Sequence, residues 1–302
     1  MRKFDGLLPI GNGDVVILDT DIGSDCDDCG ALAVLVYGCE QCGARIGAVI
    51  NDTDNPYGCG TIEAILSYYG YELPIGMTTD RGFMGVDDPV NIKYNKPVAE
   101  QFSEKFRKGE LKTRTALEVY REVLKKAEDK QVVLITIGFL NTAAEILQAE
   151  PALFKEKVRC VVSMAGDFED VSRPEWNVVK QPMAAKMFYE NCPVPVFFNG
   201  VEIGNRFKTG FEVLMPKNPV SVAYQIHSGG MRASFDPAAV DFAFCGVGED
   251  WEISDEFAVE IMENGAMKLH KAENANACYV RFASEEAIER IQKRLNSIYI
   301  QR

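Results

Sequence analysis

The sequence predicts an α/β fold, an open and mostly parallel central sheet flanked by helices, with an active site at the carboxyl ends of the strands. Two observations predict it. Short apolar, β-branched runs alternate with helical stretches, the order that a parallel sheet with right-handed crossovers requires. Four of those runs are followed by loops rich in Asp, Asn and Glu, where ligands bind in such sheets. The chain has 302 residues, 47% hydrophobic and 25% charged, which is enough for a full core without staples.

The elements follow in order. Residues 15–20 (VVILDT) form a buried strand that ends in carboxylates. Residues 28–37 follow as a small-residue helix, 45–50 (RIGAVI) as a second strand, 60–69 as a second helix and 73–76 as a short third strand. Residues 80–96, rich in Gly, Asp, Asn and Pro, read as a long loop. Helices are expected near 98–107 and 115–127, then a central strand at 131–137 (QVVLITI). A helix at 142–148 stops before Pro151, a strand spans 158–164, and 166–174 is irregular. A helix at 182–190 and a strand at 195–198 complete the alternation. Further on, 237–245 reads as helix, 251–267 and 277–282 as β segments, and 285–295 as a closing helix. No repeat, low-complexity tract or linker interrupts the chain, so residues 1–302 are expected to form one domain.

Charge narrows the function. With 32 basic and 45 acidic residues the net charge is −13, which argues against a nucleic-acid polymer or an anionic membrane as partner. No apolar run reaches the roughly 18 residues of a membrane helix, and the N-terminus lacks a signal-peptide apolar region. Nine cysteines, an odd number, fit reduced thiols and a cytoplasmic location. The pairs Cys26-x-x-Cys29 and Cys39-x-x-Cys42 flank a predicted helix and would lie roughly 15 Å apart at 1.5 Å per residue. They are not expected to share a zinc ion.

The first loop is the sharpest feature. Asp19, Asp21, Asp25, Asp27 and Asp28 place five carboxylates within ten residues. Like charges this dense repel unless a cation neutralises them or some stay protonated. Oxygen ligands select hard cations, Ca²⁺ or Mg²⁺. The N-terminus of the following helix would account for one or two acids, not five. Other polar groups follow later strands: Asn51 to Asn55, Gly138-Phe-Leu-Asn141, and Ala165 to Asn177.

Asp19-Thr-Asp21-Ile-Gly-Ser-Asp25-Cys-Asp27-Asp28 resembles the metal loop of the inosine-uridine nucleoside hydrolase family, Asp-x-Asp-Pro-Gly-x-Asp-Asp before a small-residue helix. Asp54-Asn55, Gly138-Phe-Leu-Asn141, Glu175-Trp-Asn177 and Ser234-Phe-Asp236-Pro237 resemble later family motifs in the same order. The resemblance spans most of the chain. It implies an open α/β fold and Ca²⁺-dependent hydrolysis of the N-glycosidic bond of ribonucleosides or related N-ribosides. It also implies a small-molecule substrate and a homo-oligomer. Carried over by position, the metal ligands are Asp21, Asp28, the backbone carbonyl of Asn141, and Asp236. Asn55, Glu175 and Asn177 contact the ribose hydroxyls. Asp27 is the general base and Asp25 the alternative base, because the loop holds two extra residues.

Two departures touch the substrate. Ile22 replaces the family's proline. Phe235 stands where many members carry a histidine that assists the leaving base, which removes an acid and adds an aromatic face. His227 is read as a loop histidine able to swing in as an acid, Arg232 as a solvated side chain able to reach a polar substituent, and His270 as a surface residue. Two other classes stay open. A phosphohydrolase of the haloacid dehalogenase type also carries Asp-x-Asp after a strand, but wants Thr or Val at position 23, which is Gly23 here. The third class is a non-catalytic Ca²⁺/ribose-binding module.

Overall fold

The computed structural model describes residues 4, 6–81, 93–273 and 275–301. The chain opens with β1 (Val15–Thr20), α1 (Asp27–Cys42), β2 (Arg45–Asn51), α2 (Gly58–Tyr68) and β3 (Ile75–Met77). Most of the loop expected at 80–96, residues 82–92, lies outside the described residues, as do residues 1–3 and 5 of the N-terminal stretch. Next come α3 (Asn95–Phe102), α4 (Glu104–Arg107), β4 (Arg114–Thr115), α5 (Ala116–Lys126), β5 (Val132–Thr136), α6 (Asn141–Ala149), α7 (Pro151–Lys157) and β6 (Val158–Met164). Then follow α8 (Trp176–Lys180), α9 (Pro182–Asn191), β7 (Val196–Asn199), α10 (Val201–Asn205), β8 (Lys208–Gly210), α11 (Pro219–Ser228), β9 (Met231–Ala233) and α12 (Phe235–Cys245). The C-terminal part holds β10 (Trp251–Ile253), β11 (Ala258–Ile261), β12 (Met267–His270), β13 (Ala277–Phe282) and α13 (Glu285–Tyr299).

Nine strands form the central sheet in the order β10-β13-β7-β6-β5-β1-β2-β3-β4. Every neighbouring pair is parallel except β10 with β13 at one edge. The two central strands, β1 and β5, are buried along their whole length. Helices cover both faces, so these strands read as continuous apolar runs rather than alternating ones. Val16 and Leu18 enter one core and Val15 and Ile17 the other, because successive side chains leave opposite faces of a strand. The chain travels outward from β1 through β2 to β4, then returns to β5 and travels the other way. The strand order therefore reverses between β1 and β5, which opens a crevice at their carboxyl ends.

Three local expectations change. The helix expected to end before Pro151 does so, but Pro151 then starts α7, where its fixed φ and missing N–H suit a first turn. Asn218-Pro219 starts a helix not foreseen, α11, whose Asn218 Oδ1 accepts from the N–H groups of Val220 (2.9 Å) and Ser221 (3.2 Å). His227 is therefore in the last helical turn, packed edge-on to Tyr94, not in an exposed loop. The β segment expected over 251–267 divides into β10 and β11, and β11 pairs with β12 in a separate hairpin.

Candidate active site

The crevice holds a cavity of about 460 Å³. Its floor comes from the first loop and the start of α12, and its sides from the ends of β5 and β6 and the loops that follow. Close approach of β1 and β5 depends on Gly138. A Cβ there would fall 2.3 Å from the Asp21 backbone nitrogen and 2.3 Å from Asp52 Oδ2.

The five acids of the first loop part company. Asp19 points into the core, where its Oδ2 accepts from the hydroxyls of Tyr120 and Thr142. Asp21 lines the cavity, and its Oδ2 accepts from Ser24 Oγ at 2.5 Å. Asp27 and Asp28 begin α1, and carboxylate oxygens of Asp27, Asp28 and Asp236 all lie within 4.8 Å of one another. Asp27 Oδ2 accepts from the backbone N–H groups of Phe235 (2.9 Å) and Asp236 (3.1 Å), at the positive N-terminus of α12. Asp28 Oδ1 accepts from the Thr20 hydroxyl. Asp27 Oδ1 and Asp28 Oδ2 are buried with no hydrogen-bond partner among the described residues.

Asp25 turns away from this cluster. Both its oxygens accept from Arg232 Nε, at 2.9 and 2.7 Å, and Arg232 Nη2 lies 2.5 Å from Oδ2. Asp25 Oδ1 also accepts from the Cys26 N–H at 2.6 Å. Asp25, Cys26 and His227 bring three donor atoms within 4.8 Å, but the guanidinium already neutralises the carboxylate.

Burial is the main reason the floor carboxylates resist ionisation. It pushes Asp21 up to about 7 and moves Asp27, Asp28 and Asp236 well above the ordinary carboxylate range. Repulsion among the carboxylates adds to the effect, chiefly from Asp25 on Asp27, from Asp21 on Asp28, and from Asp27 on Asp236. Several carboxylates, packed together with oxygens that no group among the described residues satisfies, fit a hard cation by oxygen chemistry and by charge.

Glu175 and Asn177 also line the cavity. Glu175 caps α8, with Oε1 accepting from the Asn177 N–H (3.0 Å) and Oε2 from the Gly166 N–H (3.3 Å). Burial lifts its carboxyl to about 7. Asn177 Nδ2 donates to the carbonyls of Ile137 (3.2 Å) and Met164 (3.0 Å), which ties together the exits of β5 and β6.

A sequence model described as inosine-uridine preferring nucleoside hydrolase matches residues 16–269, most of the chain and every part of this cavity. The chain belongs to that family. This nucleoside hydrolase is an N-ribosyl hydrolase, and its family is metal-dependent. Its fold is similar to those of solved nucleoside hydrolases. An inosine-guanosine nucleoside hydrolase is 18% identical, with a TM-score of 0.75 over 95% of this chain and 98% of the other. A plant nucleoside hydrolase is 16% identical, with a TM-score of 0.71 over 94% and 99%. An inosine-uridine preferring nucleoside hydrolase from Bacillus anthracis is 15% identical, with a TM-score of 0.67 over 94% and 99%. No curated protein matches the sequence significantly.

Within the nucleoside hydrolase cavity, Asp21, Asp25, Asp27, Asp28, Glu175, Asn177, Phe235 and Asp236 come together as the sequence suggested. Asn55 is not among the residues that line it. β2 ends at Asn51, so the residue brought beside Asp21 and Gly138 is Asp52. Asn55 lies further along, where its Oδ1 accepts from the Tyr57 N–H (2.9 Å) at the turn into α2. The side chain of Asn141 does not line the cavity either. Its amide Nδ2 donates to the Asp52 carbonyl (3.0 Å), Thr78 Oγ1 (3.1 Å) and Asp80 Oδ2 (3.0 Å). His227 is absent from the lining, so a histidine acid does not reach the cavity in this conformation. Sequence reasoning missed Trp176, Asn205 and Arg173. Trp176 stands between two foreseen residues, and an aromatic there was a readable signal. Arg173 is placed by its ion pair with buried Asp167, which no local pattern announces.

Proposed function

We propose that this enzyme hydrolyses the N-glycosidic bond of ribonucleosides or related N-ribosides with the help of Ca²⁺, giving free base and ribose. The observation that carries the reading is the buried trio Asp27, Asp28 and Asp236, with its unsatisfied oxygens, at the floor of the strand-end cavity. Asp21, Asp28, Asp236 and the Asn141 carbonyl would hold the ion. A Ca²⁺ held there would supply positive charge that lowers the pKa of water and favours oxygen groups of the sugar.

Asp27 is the general base. Two backbone N–H groups fix one of its oxygens and leave the other free to take a proton from water. Asp25 is the weaker choice, because both its oxygens are already taken by the Arg232 guanidinium and neither is turned to a water in the carboxylate cluster. Glu175 and Asn177 are pinned by the backbone and orient the sugar hydroxyls. The surrounding carboxylates stabilise the positive charge that develops on the ribose ring in the transition state.

The reading treats residues 1–302 as one catalytic domain, cytoplasmic and assembled as a homo-oligomer. All nine cysteines are free thiols, which supports a reducing compartment. Release of reducing ribose is the test, on a nucleoside panel with p-nitrophenyl riboside, with and without EDTA. Turnover lost in EDTA and restored by Ca²⁺ is the expected result. Ribose binding without turnover would identify a binding module, and turnover of an aryl phosphate a phosphohydrolase.

A further inference from the structure

We propose that Arg232 stabilises the negative charge of the departing base directly, without donating a proton. This rests on the N-riboside reading above. Breaking the C1′–N bond sends its electron pair to the base nitrogen, while the water oxygen bonds to C1′ and the water proton passes to Asp27. The base therefore leaves with negative charge that must be protonated or neutralised.

Among the described residues, the cavity is lined by no histidine, lysine, cysteine or tyrosine. Glu175 is held as an acceptor, since both its oxygens take backbone N–H groups. Asp167 is engaged by Arg173. The cationic groups on the lining are Arg173 and Arg232, and they differ in placement. Arg173 is 59% exposed, with both Nε and Nη2 donating to the same oxygen of Asp167. Arg232 is 39% exposed, its guanidinium lies 5.9 Å from the Phe235 ring centroid, and its charge acts on Asp27. Phe235 directly precedes Asp236, so Arg232 and Phe235 form a wall beside the carboxylate floor.

The wall is built from opposite ends of the fold. Asp25 holds Nε and Nη2 of Arg232 from a position 207 residues away, and Nη1 has no partner among the described residues. Phe235 fits because the neighbouring position is Gly204, where a Cβ would fall 2.3 Å from the ring. Half of the guanidinium fork is thus fixed and half is free to donate. Such a fork suits a base with adjacent ring-nitrogen and carbonyl acceptors. A guanidinium does not lose its proton in proteins, so the departing base takes its proton from solvent afterwards.

The test compares wild type with Arg232→Gln and Arg232→Lys on ribonucleosides and on p-nitrophenyl riboside, whose leaving group delocalises its own charge. We expect Arg232→Gln to lower kcat on nucleosides by about 10²–10³-fold, the usual loss on removing one transition-state donor. It should lower kcat on the aryl riboside far less. Arg232→Lys, which keeps the charge but not the fork, should fall between them. Asp25→Asn should show the same substrate pattern at roughly tenfold, the scale of one charge-assisted hydrogen bond, because Asp25 positions the arginine. Ca²⁺ binding measured by calorimetry should be unchanged in all three. Equal losses on both substrates, or no loss in Arg232→Gln, would overturn the role of Arg232 alone. A wild type inactive on every riboside would overturn the N-riboside reading and this role with it.

Discussion

The floor and the wall of the cavity draw on the same first loop and treat its charges in opposite ways. On the floor, Asp27 and Asp28 stand beside Asp236 with oxygens left unsatisfied and with burial working against ionisation. On the wall, Asp25, two positions earlier, is fully engaged by Arg232. A dense acidic stretch is therefore not one site. Floor and wall differ in whether the fold supplies the carboxylate with a protein cation or packs it against other carboxylates.

That contrast can be broken at its strongest point first. Asp28→Ala and Asp236→Ala should each lose the metal and reduce turnover by at least about 10³-fold, since each removes a proposed ligand and leaves neighbouring carboxylates uncompensated. Calorimetric Ca²⁺ titration and ribose release check this together. Normal Ca²⁺ affinity in both variants would place the ion elsewhere.

Asp27→Asn separates binding from chemistry on the same floor. Asparagine keeps an acceptor for the N–H groups of Phe235 and Asp236, so the start of α12 should survive. Turnover should fall by about 10²–10⁴-fold, the usual range for a lost general base, with Ca²⁺ still bound. Near-normal kcat would show that another group takes the proton.

Glu202 gives the smallest effect and isolates burial from metal binding. It lies on α10, whose Val201 and Asn205 line the cavity while Glu202 does not. Burial raises its carboxyl to about 7, against an ordinary value near 4.5. The sign follows from linkage. With the folded value above the unfolded one, its stabilising contribution is full below about pH 4.5 and is lost as pH rises through about 7. Thermal melts at pH 5 and pH 8 should show a decline about 1–2 kcal/mol smaller in Glu202→Gln than in wild type, after discounting for its partial exposure. Identical slopes would mean that Glu202 is no burden to the fold.

Much of this was legible in the chain itself. The apolar runs of β1, β2, β5 and β6 and the helices between them follow from local periodicity, which depends only on nearby residues. The acids at the end of β1 announce a cation because their density needs no tertiary information to be costly. Asp52 and Asn55 mark the boundary of that legibility. Both follow the same strand, and where β2 ends decides which one meets Asp21. Helix α11 was readable from Asn218-Pro219, yet the consequence for His227 was not, since only packing removes it from the cavity. By itself, then, the sequence determined the α/β class, the edge of the sheet that carries the chemistry, and the acids available there. Tertiary structure alone decided which acids pack against one another and which meets a protein cation. Asp25 and Arg232 are far apart in sequence, and their pairing exists only because α11, β9 and α12 bring Arg232 back over the first loop.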